Sequence, residues 1–315
     1  MDFVKYSDEM NFVWDEFISE SINGNFFHTR KFLNYHKEKF ADRSLLIFDK
    51  NRLKAVIPLA IDLINEKYVV SHPGITFGGL IHKGEIKGEL TFQIFSKLKE
   101  FFSKQSFQSL IYKPVPFIFN EKIYSDDIYS LLKMNAKIIS FNLSSSINLK
   151  KSIKKSKRRK ISLKKAINHD LRIEKGDKYL TMFWHILRNN LNKKYNVEPV
   201  HSLSEIKYLI NIFPENIECF VCLKNDEVIA GVILFKSSNV VHTQYIASCE
   251  FGKSICALDF LFDFLIKKSI KEDFDWFNFG VSTELNGQKL NVNLYDYKSG
   301  FGAGSTLYYT FKLEF

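Results

Sequence analysis

Three sets of residues in this chain have the chemistry to act on a ligand: a dense run of cations, a few histidines and carboxylates near strand ends, and four thiols. Between Leu149 and His169 stand Lys150, Lys151, Lys154, Lys155, Lys157, Arg158, Arg159, Lys160, Lys164 and Lys165, with no acid among them. The whole chain carries a net charge of +10, and without those ten bases it holds 35 of each sign. A dedicated nucleic-acid binder spreads its basic surface over a face or groove, so this pattern points to one local anion contact. Coiled into a helix, the run places Lys154, Arg158 and Lys165 roughly on one face, with Ile153, Ile161 and Leu163 as apolar contacts. A diphosphate, an anionic membrane surface or an RNA would each suit it; a solvated linker is the plain alternative. Arginine matches phosphate in a bidentate fork, so Arg158 and Arg159 rank ahead of Lys157 and its neighbours.

The thiols give less. Cys219 and Cys222 are spaced as a C-x-x-C but lie in an alternating apolar run that reads as a strand, which turns them to opposite faces. A redox pair also needs a helix N-terminus to acidify the thiol. Both read as small buried hydrophobes. No zinc-protease motif, second C-x-x-C or Walker loop occurs, and no metal is expected. The cluster Gly300, Gly302, Gly304 precedes a strand-like stretch and not a helix, so it fails the context for dinucleotide binding.

The elements that must position these residues come as a repeat. SLLIFDKNRLKAVIPLAID and IECFVCLKNDEVIAGVILFKS each read as two strands about a polar turn. A third strand with a histidine follows each, His72 in one and His242 in the other. Then come a long helix (ELTFQIFSKLKEFFSKQ, SICALDFLFDFLIKKSIKED) and a short strand (SLIYKPV, DWFNFG). Helices also precede each hairpin; Ser202 and Glu205 form a capping box for one of them, and Pro214 ends it. The pattern is a duplicated mixed α/β unit offset by about 170 residues, with the basic segment between the copies. The expected division is 1–148, a basic linker or helix at 149–170, and 171–315. A length of 315 residues suits two domains, and 31 Phe with 14 Tyr can fill two cores. No stretch reaches the length of a membrane span and the N-terminus is acidic, so a cytoplasmic location is expected.

This order resembles the GNAT acetyltransferase fold in tandem, as in Fem-type aminoacyl and acyl transferases. The matching pieces are Arg158-Arg159-Lys-Ile-x-x-Lys-Lys-Ala166, Gln244-Tyr-Ile-Ala-Ser, Ala257-Leu-Asp259, Phe277-Asn-Phe-Gly280 and Tyr297-Lys298-Ser-Gly-Phe-Gly302. PVHSLSEI, HPGITFGG and GVSTELNG are similar to segments of bacterial sugar N-acyltransferases. The resemblance implies two mixed, mostly antiparallel sheets flanked by helices. It also implies transfer of an acyl group from coenzyme A to the amine of a nucleotide-linked sugar, dTDP being the expected nucleotide, in surface polysaccharide synthesis. Acyl-CoA and that sugar are then the partners; DNA is not, and a homodimer is compatible with it. A Fem-type transferase using aminoacyl-tRNA stands second, and a non-catalytic anion- or nucleic-acid-binding module third.

Under that resemblance acyl-CoA lies beside the strand carrying Gln244 and Tyr245, with its pyrophosphate on the turn Phe251, Gly252, Lys253 and Ser254. There Gly252 permits close approach and Ser254 is placed to cap the next helix. Glu250 adds an acid where phosphate should bind. Attack by an amine needs an unprotonated nitrogen and a way to hold the oxyanion. His242, with an ordinary pKa near 6.5, suits a base, or is a histidine bonded to a neighbouring strand. Glu284, just past a strand end, could bind the ammonium and take its proton, with Ser282 and Asn286 beside it; the plain reading is a solvated turn. Lys298 matches a lysine that serves the reacting centre or a phosphate in Fem-type enzymes. His72 is expected to touch substrate or to be structural. Asp259 and Asp263, one turn apart on an apolar helix, are expected to be structural, at least one of them with a partner.

Overall fold

The structure is a computed structural model and describes residues 1–194 and 196–315. In chain order the strands are β1 (Asp2–Lys5), β2 (Leu45–Asp49), β3 (Arg52–Ile57), β4 (Leu59–Ile61), β5 (Tyr68–Ser71), β6 (Ile81–His82), β7 (Ser109–Tyr112), β8 (Lys137–Asn148), β9 (Arg172–Lys175), β10 (Ile217–Lys224), β11 (Glu227–Lys236), β12 (Val240–Ser248), β13 (Trp276–Val281), β14 (Thr283–Glu284), β15 (Lys289–Leu290) and β16 (Gly304–Glu314). The helices are α1 (Asn11–Ser19), α2 (Arg30–Leu33), α3 (Glu89–Ser103), α4 (Asp126–Lys133), α5 (Lys157–Ile167), α6 (Leu180–Tyr195), α7 (Leu203–Ile212), α8 (Glu250–Ser254), α9 (Ala257–Lys271) and α10 (Val292–Ser299).

The chain divides into two compact units. The first holds Met1–Leu143, Thr283–Leu290 and Thr306–Phe315; the second holds Ser144–Ser282 and Asn291–Ser305. The helix of the basic segment, α5, falls within the second unit.

In the first unit β1, β2, β3 and β6 form an antiparallel sheet, while β4, β5, β7 and β16 pair in that order. Pro58 separates β3 from β4, because proline has no N–H to give a ladder. The core joins Leu45, Ile57, Ile94, Phe95, Leu98, Tyr112 and Phe311, all fully or nearly fully buried.

In the second unit the pairing runs β8, β13, β12, β11, β10, β9. All neighbours are antiparallel except β12 and β13, which run parallel because α8 and α9 make the crossover between them. β5 and β7 are the parallel pair of the first unit, joined across α3 in the same way. Helix α9 lays Leu261, Phe262, Leu265 and Ile266 against Val232, Leu234, Val241 and Phe277. Burying each such side chain contributes about 1.5–3 kcal/mol. Helix α6 covers the opposite face, and Gly231 lets it in: a Cβ there would stand 2.4 Å from the Phe183 ring. Asn196 closes α6 in the left-handed conformation (φ 53°) that asparagine tolerates. The capping box of Ser202 and Glu205 opens α7 as its spacing predicts. Each unit is thus a mixed, mostly antiparallel α/β unit; β10, β11, β12, α9 and β13 keep the expected strand, strand, strand, helix, strand order apart from the short α8, whereas in the first unit β6 comes between β5 and α3 and His72 lies just past the end of β5. No helix is long and apolar enough to cross a membrane.

Candidate functional site

His242 and Asn278 stand side by side at a fork. The parallel pairing of β12 with β13 covers Val240–Trp276, Val241–Phe277 and His242–Asn278 and ends there. Beyond it β12 keeps β11 as its strand neighbour to Ser248.

Asn278 is fully buried and its polar atoms are all engaged. Its Nδ2 donates to Ser144 Oγ and Ser146 Oγ, 2.8 Å each, and its Oδ1 accepts from the Gly280 N–H at 3.0 Å. With the amide oriented by three partners, the group on His242 Nδ1, 2.6 Å from Oδ1, must donate. The proton therefore sits on Nδ1, and the lone pair of the neutral ring is on Nε2. Burial pushes His242 down to about 4, against hydrogen bonds to Asn278 and Gln244 that raise it, and the Lys298 charge lowers it further. The ordinary value near 6.5 is thus corrected: at neutral pH His242 is an uncharged acceptor.

Lys298, on α10, is 4% exposed and ends on two main-chain oxygens, Gly280 O at 3.1 Å and Val281 O at 2.6 Å. Neither is a carboxylate. Desolvation alone brings this amine down to about 7, so near neutrality it switches between cation and free base.

A register shift between Ile233 and Leu234 leaves Gln244 as the extra residue of a bulge in β12. Without it Tyr245 would face away from His242; with it, His242 pairs with Phe235, Tyr245 pairs with Ile233, and both side chains share the α6 face. Tyr245 Oη lies 2.5 Å from His201 Nδ1. His201, with Trp184, Arg188, Glu198 and Val200, lines a cavity of about 560 Å³ between α6 and α7. That is within the ~300–1,000 Å³ of small-molecule sites. The sequence reading had missed Asn278, Ser144, Ser146 and His201 as site residues; the alternation of Ser144 and Ser146 on one strand face was the available signal.

The other expected residues lie as follows. Arg159 is turned inward: its Nη1 meets Asp259 Oδ1 at 2.6 Å, both are buried, and its guanidinium lies 4.5 Å from the centre of the Tyr297 ring. That pairing engages its guanidinium inside the unit, while Lys157 and Arg158 are exposed. Asp259 and Asp263 both have partners, since Asp263 pairs with Lys155 and Lys267. Ser254 does not cap the next helix: Cys256 stands at the N-cap of α9, Ser254 Oγ donates back to Phe251 O, and Cys249 caps the short α8, its Sγ accepting from the Gly252 N–H. Gly252 packs tightly, a Cβ there falling 2.4 Å from Ile229 O. Lys253 is paired with Glu250 at 2.6 Å, and Phe251 is half-exposed.

Ser282 is buried with no partner for its hydroxyl. Glu284 belongs to the first unit, where it pairs with Lys289 at 3.3 Å across the β14–β15 hairpin. Asn286 sits in the left-handed turn between those strands (φ 54°), its carbonyl held by Ser140 Oγ. His72 is 3% exposed and stacked on His36 with ring centres 5.3 Å apart; burial holds it well below the usual histidine range, which is a core environment. Cys219 and Cys222 are buried thiols, each pushed up to about 12 by desolvation. Among the described residues no group of three or more His, Cys, Asp or Glu is placed to hold a metal ion.

No family model matches the sequence, and no curated protein matches it. Solved structures match the fold along its whole length. FemX is similar at 11% identity, covering 100% of this chain and 98% of its own, with a TM-score of 0.70. A tandem GNAT protein from the clavulanic acid biosynthesis pathway covers 99% and 98% at 8% identity (TM-score 0.54). A GNAT-family acetyltransferase from Colwellia psychrerythraea covers 100% of both chains at 12% identity (TM-score 0.53). The architecture of this chain is the tandem GNAT-type α/β fold.

Proposed function

We propose that the chain is an N-acyltransferase that moves an acyl group from a coenzyme A thioester to the amine of a nucleotide-linked amino sugar, with His242 and Lys298 at the reacting centre. The observation that carries the reading is the pair itself: a neutral histidine whose Nε2 lone pair is fixed by Asn278, beside a desolvated lysine with no carboxylate partner. Perturbed titratable groups of this kind mark reacting sites more often than chance. In the proposed step the amine nitrogen bonds to the acyl carbon, its proton passes to His242 Nε2 in exchange for the hydrogen bond to Gln244, and Lys298 as a cation offsets the oxyanion. Collapse breaks the carbon–sulfur bond and the departing thiolate takes up a proton. The amine-bearing ligand would enter from the cavity beside His201.

The chain fits the donor in part. The pairing of β12 with β13 ends at His242, and an extended amide-bearing arm bonding to the β12 main chain beyond it as a strand does would fit there. The turn at Phe251, Gly252, Lys253 and Ser254 fits a pyrophosphate poorly, because its Gly252 N–H is spent on Cys249 and its cation on Glu250. That observation favours a second reading, in which the donor is an aminoacyl-tRNA and the bond broken is an ester. Mass spectrometry of the acceptor after incubation with acyl-CoAs or aminoacyl-tRNA separates the two. Product only with a coenzyme A thioester, and none from His242→Asn or Lys298→Met, supports the first reading. Product only with aminoacyl-tRNA gives the second, and product from neither donor removes both.

A further inference from the structure

The basic helix α5 is two-faced. Its inner face is closed: Arg159 is buried on Asp259, and Ala166, seven residues on, is fully buried. Ser156 caps it by accepting from the Arg159 N–H, and Gly300 makes room, since a Cβ there would come within 3.0 Å of Arg159 Cγ and Ser156 Oγ. The acids that the segment uses are Asp259, taken by Arg159, Asp263, taken by Lys155, and Asp273 and Asp275, taken by Lys150.

The outer face is open. Lys157, Lys160, Lys164 and Lys165 are exposed and none of them forms an ion pair with a carboxylate among the described residues. Ile161 and Ile167 lie among them on the same face, each 58% exposed. A merely solvated helix places acids between its lysines; α5 has none in eleven residues.

We propose that α5 is a docking face for an anionic lipid bilayer surface, lying in the headgroup plane with its lysines on the phosphates and Ile161 and Ile167 dipped toward the acyl chains. Charge complementarity selects the partner, and the two isoleucines select a bilayer over an RNA. Proteins that hold RNA stack its bases on aromatic rings or use arginine forks, whereas α5 exposes no aromatic residue and one of its two arginines is buried.

The test uses the full chain and vesicles of about one part phosphatidylserine to two parts phosphatidylcholine in sedimentation at low salt. Binding is expected at ~0.02 M salt, at least about tenfold weaker on pure phosphatidylcholine and largely lost near 0.5 M. Lys160→Glu with Lys164→Glu should weaken it by about 30-fold or more. Ile161→Ser with Ile167→Ser should weaken it about tenfold with an unchanged salt slope. All four positions are exposed, so melting temperatures should stay at the wild-type value; the milder Lys160→Gln with Lys164→Gln repeats the charge test. Equal binding to both kinds of vesicle, or an isoleucine variant that binds like wild type, overturns the proposal. So does tRNA binding tighter than vesicle binding and indifferent to the isoleucines, which would make α5 an RNA contact.

Discussion

The pair His242 and Lys298 shows how two bases of ordinary chemistry are retuned by what surrounds them. Burial makes the histidine neutral down to about 4 and brings the lysine, whose ammonium ends on two main-chain oxygens, to about 7. If Lys298 acts as the cation, turnover falls as pH rises through about 7, because the charge is lost there; Lys298→Arg, charged at any working pH, should remove that limb. An acidic limb near 6.5 should be missing, since His242 stays unprotonated until about 4. A rate that climbs through pH 7 would instead make Lys298 the base. Keeping Lys298 buried costs stability: a fall from 10.5 to about 7 corresponds to on the order of 4 kcal/mol at pH 7. Lys298→Met gives up that cost but leaves two carbonyls without their donor, worth about 1–3 kcal/mol. Its melting temperature should therefore equal or exceed that of the wild type, while turnover drops by ~10²–10³. A variant that melts much lower would show the lysine to be structural.

Strands β8, β13 and β12 hold the histidine, and the chain of Ser144, Ser146, Asn278 and His242 crosses all three. Asn278→Asp would place a carboxylate on Nδ1, raise the His242 pKa and bring an acidic limb into the measurable range. Asn278→Leu should cut turnover by about tenfold to a hundredfold through loss of the ring's orientation. An Asn278→Asp protein with the wild-type pH profile would show that Asn278 does not position the ring. What the sequence disclosed here followed from range. The capping box of α7, the hairpin β10–β11 and the amphipathic α9 are set by residues close in the chain, and the structure has them where their patterns put them. The fork after His242 and the bulge at Gln244 depend on pairing between β12, β11 and β13, which no local pattern encodes. The pairing of Arg159 is hidden for the same reason: its partner Asp259 is 100 residues away, and in sequence Arg159 looks like any other member of the basic run.

The same burial that tunes the site gives the whole molecule an unusual pH profile. His28, His82 and His242 are each pushed down to about 4, and His72 is lowered as well, all chiefly by desolvation. In the unfolded chain these rings take a proton near 6.5, so the unfolded state binds more protons as pH falls from 6.5 to 4 and stability is lost across that window. Asp127 acts oppositely: raised to about 6 by burial, it is protonated in the folded state first and stabilises it between about 6 and 3.8. Three histidines at about 3 kcal/mol each, less a similar amount from Asp127, leave a loss of several kcal/mol, comparable with the ~5–15 kcal/mol that holds a domain together. On the alkaline side Lys113, at about 8, and Lys298, at about 7, remain protonated longer in the unfolded chain, so stability keeps rising toward pH 10. His28, His72 and His82 belong to the first unit, together with the opposing Asp127, and His242 belongs to the second. Trp14 is the one tryptophan of the first unit, with Trp184 and Trp276 in the second. In a Trp184→Phe, Trp276→Phe protein the remaining fluorescence reports the first unit directly, and its acid transition should fall between about pH 4 and 5.5 and move lower in His82→Asn. Asparagine can keep the acceptor that His82 Nδ1 offers to the Gly84 N–H while removing the titration. Urea midpoints of the Trp14 signal that are the same at pH 4.5 and pH 7, in wild type and in His82→Asn alike, would show that burial does not hold these rings neutral.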